Sequence, residues 1–132
     1  VELKGDAVVC YISVRSCKGS LIDQMCGKYR ALAELTGCAL TFRDRLPGWD
    51  YDRDSRLRRL VDKEYNERFG AAPRFKVTHA STECGMFKEQ LPHMDIISMG
   101  PIIYEEHTPR EYMGIQSVGV VWEFVKSIIS QL

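Results

Sequence analysis

Two short stretches hold most of the residues in this chain that could do chemistry. The first is His79-Ala80-Ser81-Thr82-Glu83-Cys84-Gly85, where an alternating apolar run gives way to a helical pattern. Backbone N–H groups at a helix start attract an anion or a carboxylate. The same residues also suit a plain capping role, with Ser81 or Thr82 as the cap and Glu83 complementing the dipole. Cys84 beside such a start could have a lowered pKa, but the spacing gives it no base. The second stretch runs from 100 to 111 and contains Tyr104-Glu105-Glu106-His107-Thr108-Pro109-Arg110-Glu111. A histidine flanked by carboxylates could ligate a metal while an acidic neighbour orients its ring, or it could be a solvated loop residue. A catalytic zinc takes three protein ligands as a rule. The three histidines, His79, His93 and His107, have no i, i+4 pair, so the chain carries no self-sufficient set of this kind.

A length of 132 residues suits one domain. Lys plus Arg total 18 and Asp plus Glu total 18, a balance that argues against nucleic acid as a partner. No apolar run reaches the ~20 residues of a membrane span, and no signal peptide is evident. The five cysteines include no Cys-x-x-Cys pair, and an odd number suits a reducing compartment and buried, inert thiols. The location implied is cytoplasmic. The chain opens on Val1 and runs almost at once into an apolar stretch, which reads as a segment from inside a longer protein.

The elements that must carry those stretches follow from periodicity. The run 8–14 alternates as a strand, with Val8, Cys10, Ile12 and Val14 on one face. Ser20 caps a helix marked by Leu21, Met25, Tyr29, Leu32 and Leu35, which Gly37 stops. The run 38–42 is a second strand, completing a βαβ-like unit. Leu46-Pro47-Gly48-Trp49 breaks the pattern and marks a boundary, so the two parts are expected to pack separately. Asp54 or Ser55 caps a helix with Leu57, Leu60, Val61, Tyr65 and Phe69 inward, ended by Gly70. Strands follow at 75–79 and 94–99, separated by a short helix bearing Met86, Phe87 and Leu91. Ser117 caps a last helix with Val118, Val121, Trp122, Val125, Ile128 and Ile129 inward. Helices alternating with apolar strands predict an α/β fold with a mainly parallel sheet.

The two chemical stretches carry a family resemblance. His79-Ala80-x-x-Glu83-Cys84-Gly85 resembles the His-Ala-Gly-Leu-Glu-Cys-Gly segment of aminoacyl-histidine dipeptidases. Met94 to Pro101 is similar to their Met-Asp-Met-Ile-Ser-Phe-Gly-Pro-like strand, and His107-Thr108-Pro109-x-Glu111 to their His-Ser-Pro-x-Glu loop. The helix from Ser117 to Phe124, the run Ile12-Ser13-Val14-Arg15-Ser16 and Leu46-Pro47-Gly48-Trp49 also resemble that family, in the same order. The chain departs from it at Ser81-Thr82, which stand for Gly-Leu, and at Thr108 and Arg110, which stand for Ser and Asp.

The resemblance implies a dinuclear zinc peptidase whose catalytic α/β domain is split around an inserted ferredoxin-like lid. Residues 1–46 would be the closing βαβ portion of that lid and dimerisation domain, and residues 47–132 the C-terminal portion of the catalytic domain. His107 matches the family's last zinc ligand. Arg15 matches the lid arginine that grips a substrate carboxylate, and Glu83 and His79 fall where the substrate pocket is lined. The family's His-x-Asp motif, bridging Asp, Glu-Glu pair with the general base, and a further acidic ligand all precede this segment. The segment alone is therefore expected to be inactive and to hold zinc weakly or not at all. The longer protein would hydrolyse Xaa-His-type dipeptides by two-zinc activation of water and form a homodimer through the lid. Two other readings stand beside this one: a module that binds a small anion at the Ser81-Thr82 helix start, and a dimerising α/β module without catalytic activity.

Overall fold

A computed structural model describes residues 1–79 and 83–132. The chain divides into two compact units, Val1–Tyr51 with Val77–Pro92, and Asp52–Lys76 with His93–Leu132. By packing, the Pro47-Gly48 segment and the stretch around His79 and Glu83 therefore go with the N-terminal elements.

The first unit opens with a hairpin, β1 (Glu2–Lys4) against β2 (Ala7–Val9), antiparallel with Leu3 opposite Val8. Gly5 takes φ 61°, the left-handed value that a two-residue hairpin turn demands. β2 stops at Val9, so residues 10–14, expected to continue a strand, join no ladder. Helix α1 spans Gly19–Thr36. It starts ahead of Ser20: the Lys18 carbonyl accepts from Leu21 N and Ile22 N, and no side chain caps it. Gly37 ends it at φ 67°, with its N–H and that of Cys38 both on the Ala33 carbonyl. Ile22 is the buried residue of α1. Helix α2 belongs to the second unit, and α3 (Glu83–Gln90) completes the first. The expected α3 caps, Ser81 and Thr82, lie outside the described residues.

In the second unit, α2 (Arg56–Phe69) packs on α4 (Ile115–Ile129). Val61, Phe124 and Ile128 are buried between them, with Leu57, Leu60, Tyr65 and Ile97 against that core. Tyr65, Phe69 and Phe124 form an aromatic triangle with ring centroids 4.6 to 5.8 Å apart. Ser55 caps α2 by accepting from Arg58 N at 2.8 Å, and Asp95 accepts from Leu57 N at 2.8 Å. Gly70 ends α2 at φ 66°. The inward face of α4 is Val121, Phe124, Val125 and Ile128, whereas Trp122 and Ile129, expected inward, are exposed. Gly114 is its N-cap, so Ser117 lies inside the first turn. A second hairpin pairs β3 (Ile103–Tyr104) with β4 (Tyr112–Met113), and the Tyr104 and Tyr112 rings stack at 4.7 Å.

The chain is thus a mixture of helices and small strands. The expected strands at 38–42, 75–79 and 94–99 form no ladder among the described residues, and both ladders present are antiparallel. Parallel strands take their hydrogen bonds from segments distant in sequence, and among the described residues no ladder joins these runs to such a segment. Phe42, Val77, Met94 and Met99, on these runs, are exposed.

Because the α2 cap sits in a buried position, Ser55→Ala should cost about 1 kcal/mol of stability. Phe124→Ala, which empties the centre of the same unit, should cost about 3 kcal/mol. Shifts of the urea midpoint in that ratio, followed by helical circular dichroism, check the assignment.

Candidate functional site

His107 sits in the loop that joins β3 to β4, and the base of that loop is fastened to α4. The Ser117 hydroxyl donates to the Gly114 carbonyl at 2.6 Å and accepts from Ile102 N at 2.9 Å. Gly114 N in turn donates to the Ile102 carbonyl at 2.9 Å. The residue expected to cap α4 therefore anchors both ends of the hairpin to the first turn of the helix.

Inside the loop, Glu105 (φ 50°) and His107 (φ 64°) both adopt the left-handed conformation. A non-glycine residue there costs about 1–3 kcal/mol and persists only where its surroundings over-determine it. Here the bracing is explicit. His107 N donates to Glu111 Oε2 at 2.9 Å. The Thr108 hydroxyl donates to the Glu105 carbonyl at 2.8 Å and accepts from Arg110 N at 3.2 Å. Arg110 Nε donates to Glu105 Oε2 at 2.8 Å. A carboxylate does orient His107, but through its backbone N–H rather than through the imidazole. The ring is exposed, and neither of its nitrogens has a partner among the described residues. Arg110 leaves no unbalanced cation beside it, since Glu105 pairs with the guanidinium.

One exposed imidazole suits a metal as a single donor. Among the described residues, no group of three or more His, Cys, Asp and Glu side chains could hold an ion.

The other three candidate residues share the first unit. Arg15 is exposed, and its guanidinium has no partner among the described residues. Two residues on, Cys17 N donates to His79 Nδ1 at 3.2 Å. Nδ1 is then an acceptor, so the neutral ring carries its proton on Nε2. Glu83 lies exposed in the first turn of α3. Around these residues, backbone segments approach closely. A Cβ on Gly48 would collide with the Cys17 carbonyl and stand 3.0 Å from the Ser16 oxygen, and one on Gly85 would stand 2.8 Å from the Pro47 oxygen. Gly48 and the glycine of the Glu-Cys-Gly motif therefore join 16–17, 47–48 and α3 into one junction next to Arg15. Read as a chain break, Pro47-Gly48 gave no sign of this packing role.

Of the cysteines, all five are free, and Cys10 and Cys38 are exposed rather than buried. Cys84 is half-buried in α3. A shallow depression lined by Arg30, Glu34, Cys38, Leu40 and Phe42 sits at the C-terminal end of α1. Arg15 precedes the opposite end of that 18-residue helix, roughly 27 Å away along its axis. Beside α1, the Arg45 guanidinium is held more firmly in its charged form by the hydrogen bond and charge of Asp23.

Comparison with known proteins agrees with the loop motifs. No family model matches the chain. It is 31% identical over all 132 residues to cytosol non-specific dipeptidase of Escherichia coli (strain K12), spanning 27% of that protein. Its structure superposes on the crystal structure of aminoacylhistidine dipeptidase from Vibrio alginolyticus with a TM-score of 0.77 and 34% identity. That match covers 89% of this chain and 24% of the other. The chain therefore resembles these dipeptidases from end to end while spanning about a quarter of their length.

The glycine junction makes a contrast that can be measured. Gly48→Ala should destabilise the chain by about 1–3 kcal/mol, because the obstacle is backbone and cannot rotate away. Gly119→Ala, in the open face of α4, should instead stabilise it by about 0.5–1 kcal/mol. Denaturation midpoints moving in opposite directions are the expected result.

Proposed function

We propose that this chain is the C-terminal portion of a cytoplasmic, zinc-dependent dipeptidase that hydrolyses Xaa-His-type dipeptides. The observation that carries the reading is the match along all 132 residues to a protein named as a dipeptidase, over only 27% of that protein. On this reading residues 1–46 close a ferredoxin-like lid that also forms a homodimer, and residues 47–132 complete the catalytic domain. The runs at 38–42, 75–79 and 94–99, which form no ladder among the described residues, are then strands that pair within the longer protein. Their exposed apolar side chains support this, since such surface is normally covered. The location is supported by the cytosolic relative. No described helix is long and apolar enough to cross a membrane.

His107 is the zinc ligand of this segment. Its unpartnered ring, held on a braced loop, fits that role with one nitrogen of a four-coordinate shell. When bound, a zinc pair supplies Lewis acidity, lowering the pKa of water and polarising the scissile carbonyl. The other groups of this chain bind and orient the substrate. Arg15 presents an exposed guanidinium fork without a partner among the described residues, which suits a dipeptide's C-terminal carboxylate. His79 can donate from Nε2 to a substrate oxygen, because Nδ1 is occupied by Cys17 N. Glu83, exposed in the first turn of α3, can hold a cationic group of the substrate.

The 132-residue chain by itself should show no zinc-dependent dipeptide hydrolysis and no chelator-resistant zinc, whereas the longer protein should show both. Turnover by the short chain alone would overturn the assignment of roles.

Within the longer protein, two substitutions should fail differently. His107→Ala should lower zinc content and kcat together. Arg15→Ala should leave zinc in place and raise KM by about ten- to a hundredfold, as expected for losing a charge-assisted contact of roughly 1.5–3 kcal/mol. A C-terminally amidated dipeptide should be nearly indifferent to the Arg15 change. Equal sensitivity of free and amidated substrates would reduce Arg15 to a surface charge.

A further inference from the structure

The carboxylates of the β3–β4 loop invite a metal assignment from their sequence alone, since Glu105, Glu106 and Glu111 surround His107. The geometry points to a different role. We infer that Glu111, seconded by the Glu105–Arg110 pair, is a positioning residue that locks the His107 backbone in its left-handed turn and so fixes where the imidazole points. This rests on the reading of His107 as a zinc ligand.

The argument runs from what each group is already doing. Glu111 Oε2 accepts the His107 backbone N–H at 2.9 Å. That bond reaches back four residues and spans the left-handed residue itself. The Glu111 N–H in turn donates to the Thr108 carbonyl at 3.1 Å, so the carboxylate is carried on a turn that folds over the histidine. Glu105 Oε2 is engaged by Arg110 Nε at 2.8 Å, and the Glu105 carbonyl takes both Thr108 N, at 3.2 Å, and the Thr108 hydroxyl, at 2.8 Å. Every one of these contacts acts on loop geometry, and none touches the ring. A metal ligand gains affinity when its direction is set before the ion arrives, because the ordering is then not charged against binding. In many metal sites that task falls to a group hydrogen-bonded to the second imidazole nitrogen. Among the described residues neither ring nitrogen has a partner, so the main chain is the place where orientation is imposed.

The distinction between a positioning carboxylate and a ligating one decides the test. A carboxylate that ligates zinc contributes its negative charge, which the amide of a glutamine lacks, whereas a brace needs only an oxygen that accepts a hydrogen bond. Glu111→Gln keeps such an oxygen at the same reach, and Glu111→Ala removes it. In the full-length protein, Glu111→Ala should weaken zinc binding about tenfold in a chelator competition titration, at the lower end of effects seen when a ligand's support is removed. It should also change the visible spectrum of the cobalt-substituted protein and speed amide hydrogen exchange at His107. Glu111→Gln should restore all three to near the parental values. Arg110→Ala should produce a smaller change of the same kind, since the Thr108 contacts remain.

If the alanine variant matches the parent in zinc affinity, cobalt spectrum and His107 exchange, the brace has no role. If Gln fails as badly as Ala while His107 exchange stays slow, Glu111 is a ligand and the inference is wrong. Should the parental protein bind no metal, the dipeptidase reading falls on that result. The brace is then judged by amide exchange alone, which must rise in the alanine variant and not in the glutamine variant.

Discussion

The contact of α2 with α4 supports everything in the second unit that bears on chemistry. Val61, Phe124 and Ile128 are buried there, with the Tyr65, Phe69 and Phe124 rings locked together beside them. That packing fixes the axis of α4. The first turn of α4 holds Ser117, and the Ser117 hydroxyl reaches Ile102 and Gly114, the residues flanking the β3–β4 hairpin. From that hairpin projects the loop that carries His107. A small apolar core thus sets the direction of an exposed imidazole through a single hydroxyl and a two-pair ladder. A two-stranded hairpin alone is barely stable in water, so this tether is what makes the loop a defined object.

The first unit depends on closeness rather than on a core. Ile22 is its buried apolar side chain among the described residues, and close backbone approaches are prominent among its other contacts. Gly48 lies against Cys17, Gly85 against Pro47, and His79 receives the Cys17 N–H. The absence of a Cβ at two positions lets three segments distant in sequence meet beside Arg15. This also explains why a Cys-Gly pair follows the glutamate in the His-Ala-x-x-Glu-Cys-Gly run: the glycine serves packing, whatever the glutamate binds.

Large apolar side chains are left in solvent on α1, on the run 38–42 and on the run 94–99, while the buried set is small. Burial of apolar surface is the main favourable term in folding, so such faces are the parts of a structure that pack on something else. The relatives matched here are about four times as long as this chain, and in them the corresponding segments have that much more protein to pack against.

Local signals in the sequence sufficed for the helices and for some of their ends, though not for the starts of α1 and α4. The spacing of Leu57, Leu60, Val61 and Tyr65 marked α2, Ser55 marked its start, and Gly37 and Gly70 marked two stops, because capping and left-handed turns are decided within a few residues. The motifs around His79 and His107 were equally legible and led to the dipeptidase resemblance. Three things were not. Whether an apolar run becomes a paired strand depends on a neighbour elsewhere in the chain, so 75–79 and 94–99 looked like strands and remain without ladders. Whether Ser117 caps a helix or clamps a hairpin depends on Ile102, fifteen residues upstream. Whether Glu111 serves the ring or the backbone of His107 depends on a turn that brings the carboxylate back over the main chain. The sequence determines what each segment can form by itself and which chemical groups it carries. Tertiary structure alone decides which of those groups meet, because hydrogen bonds and close backbone approaches are set by distance in space and not along the chain.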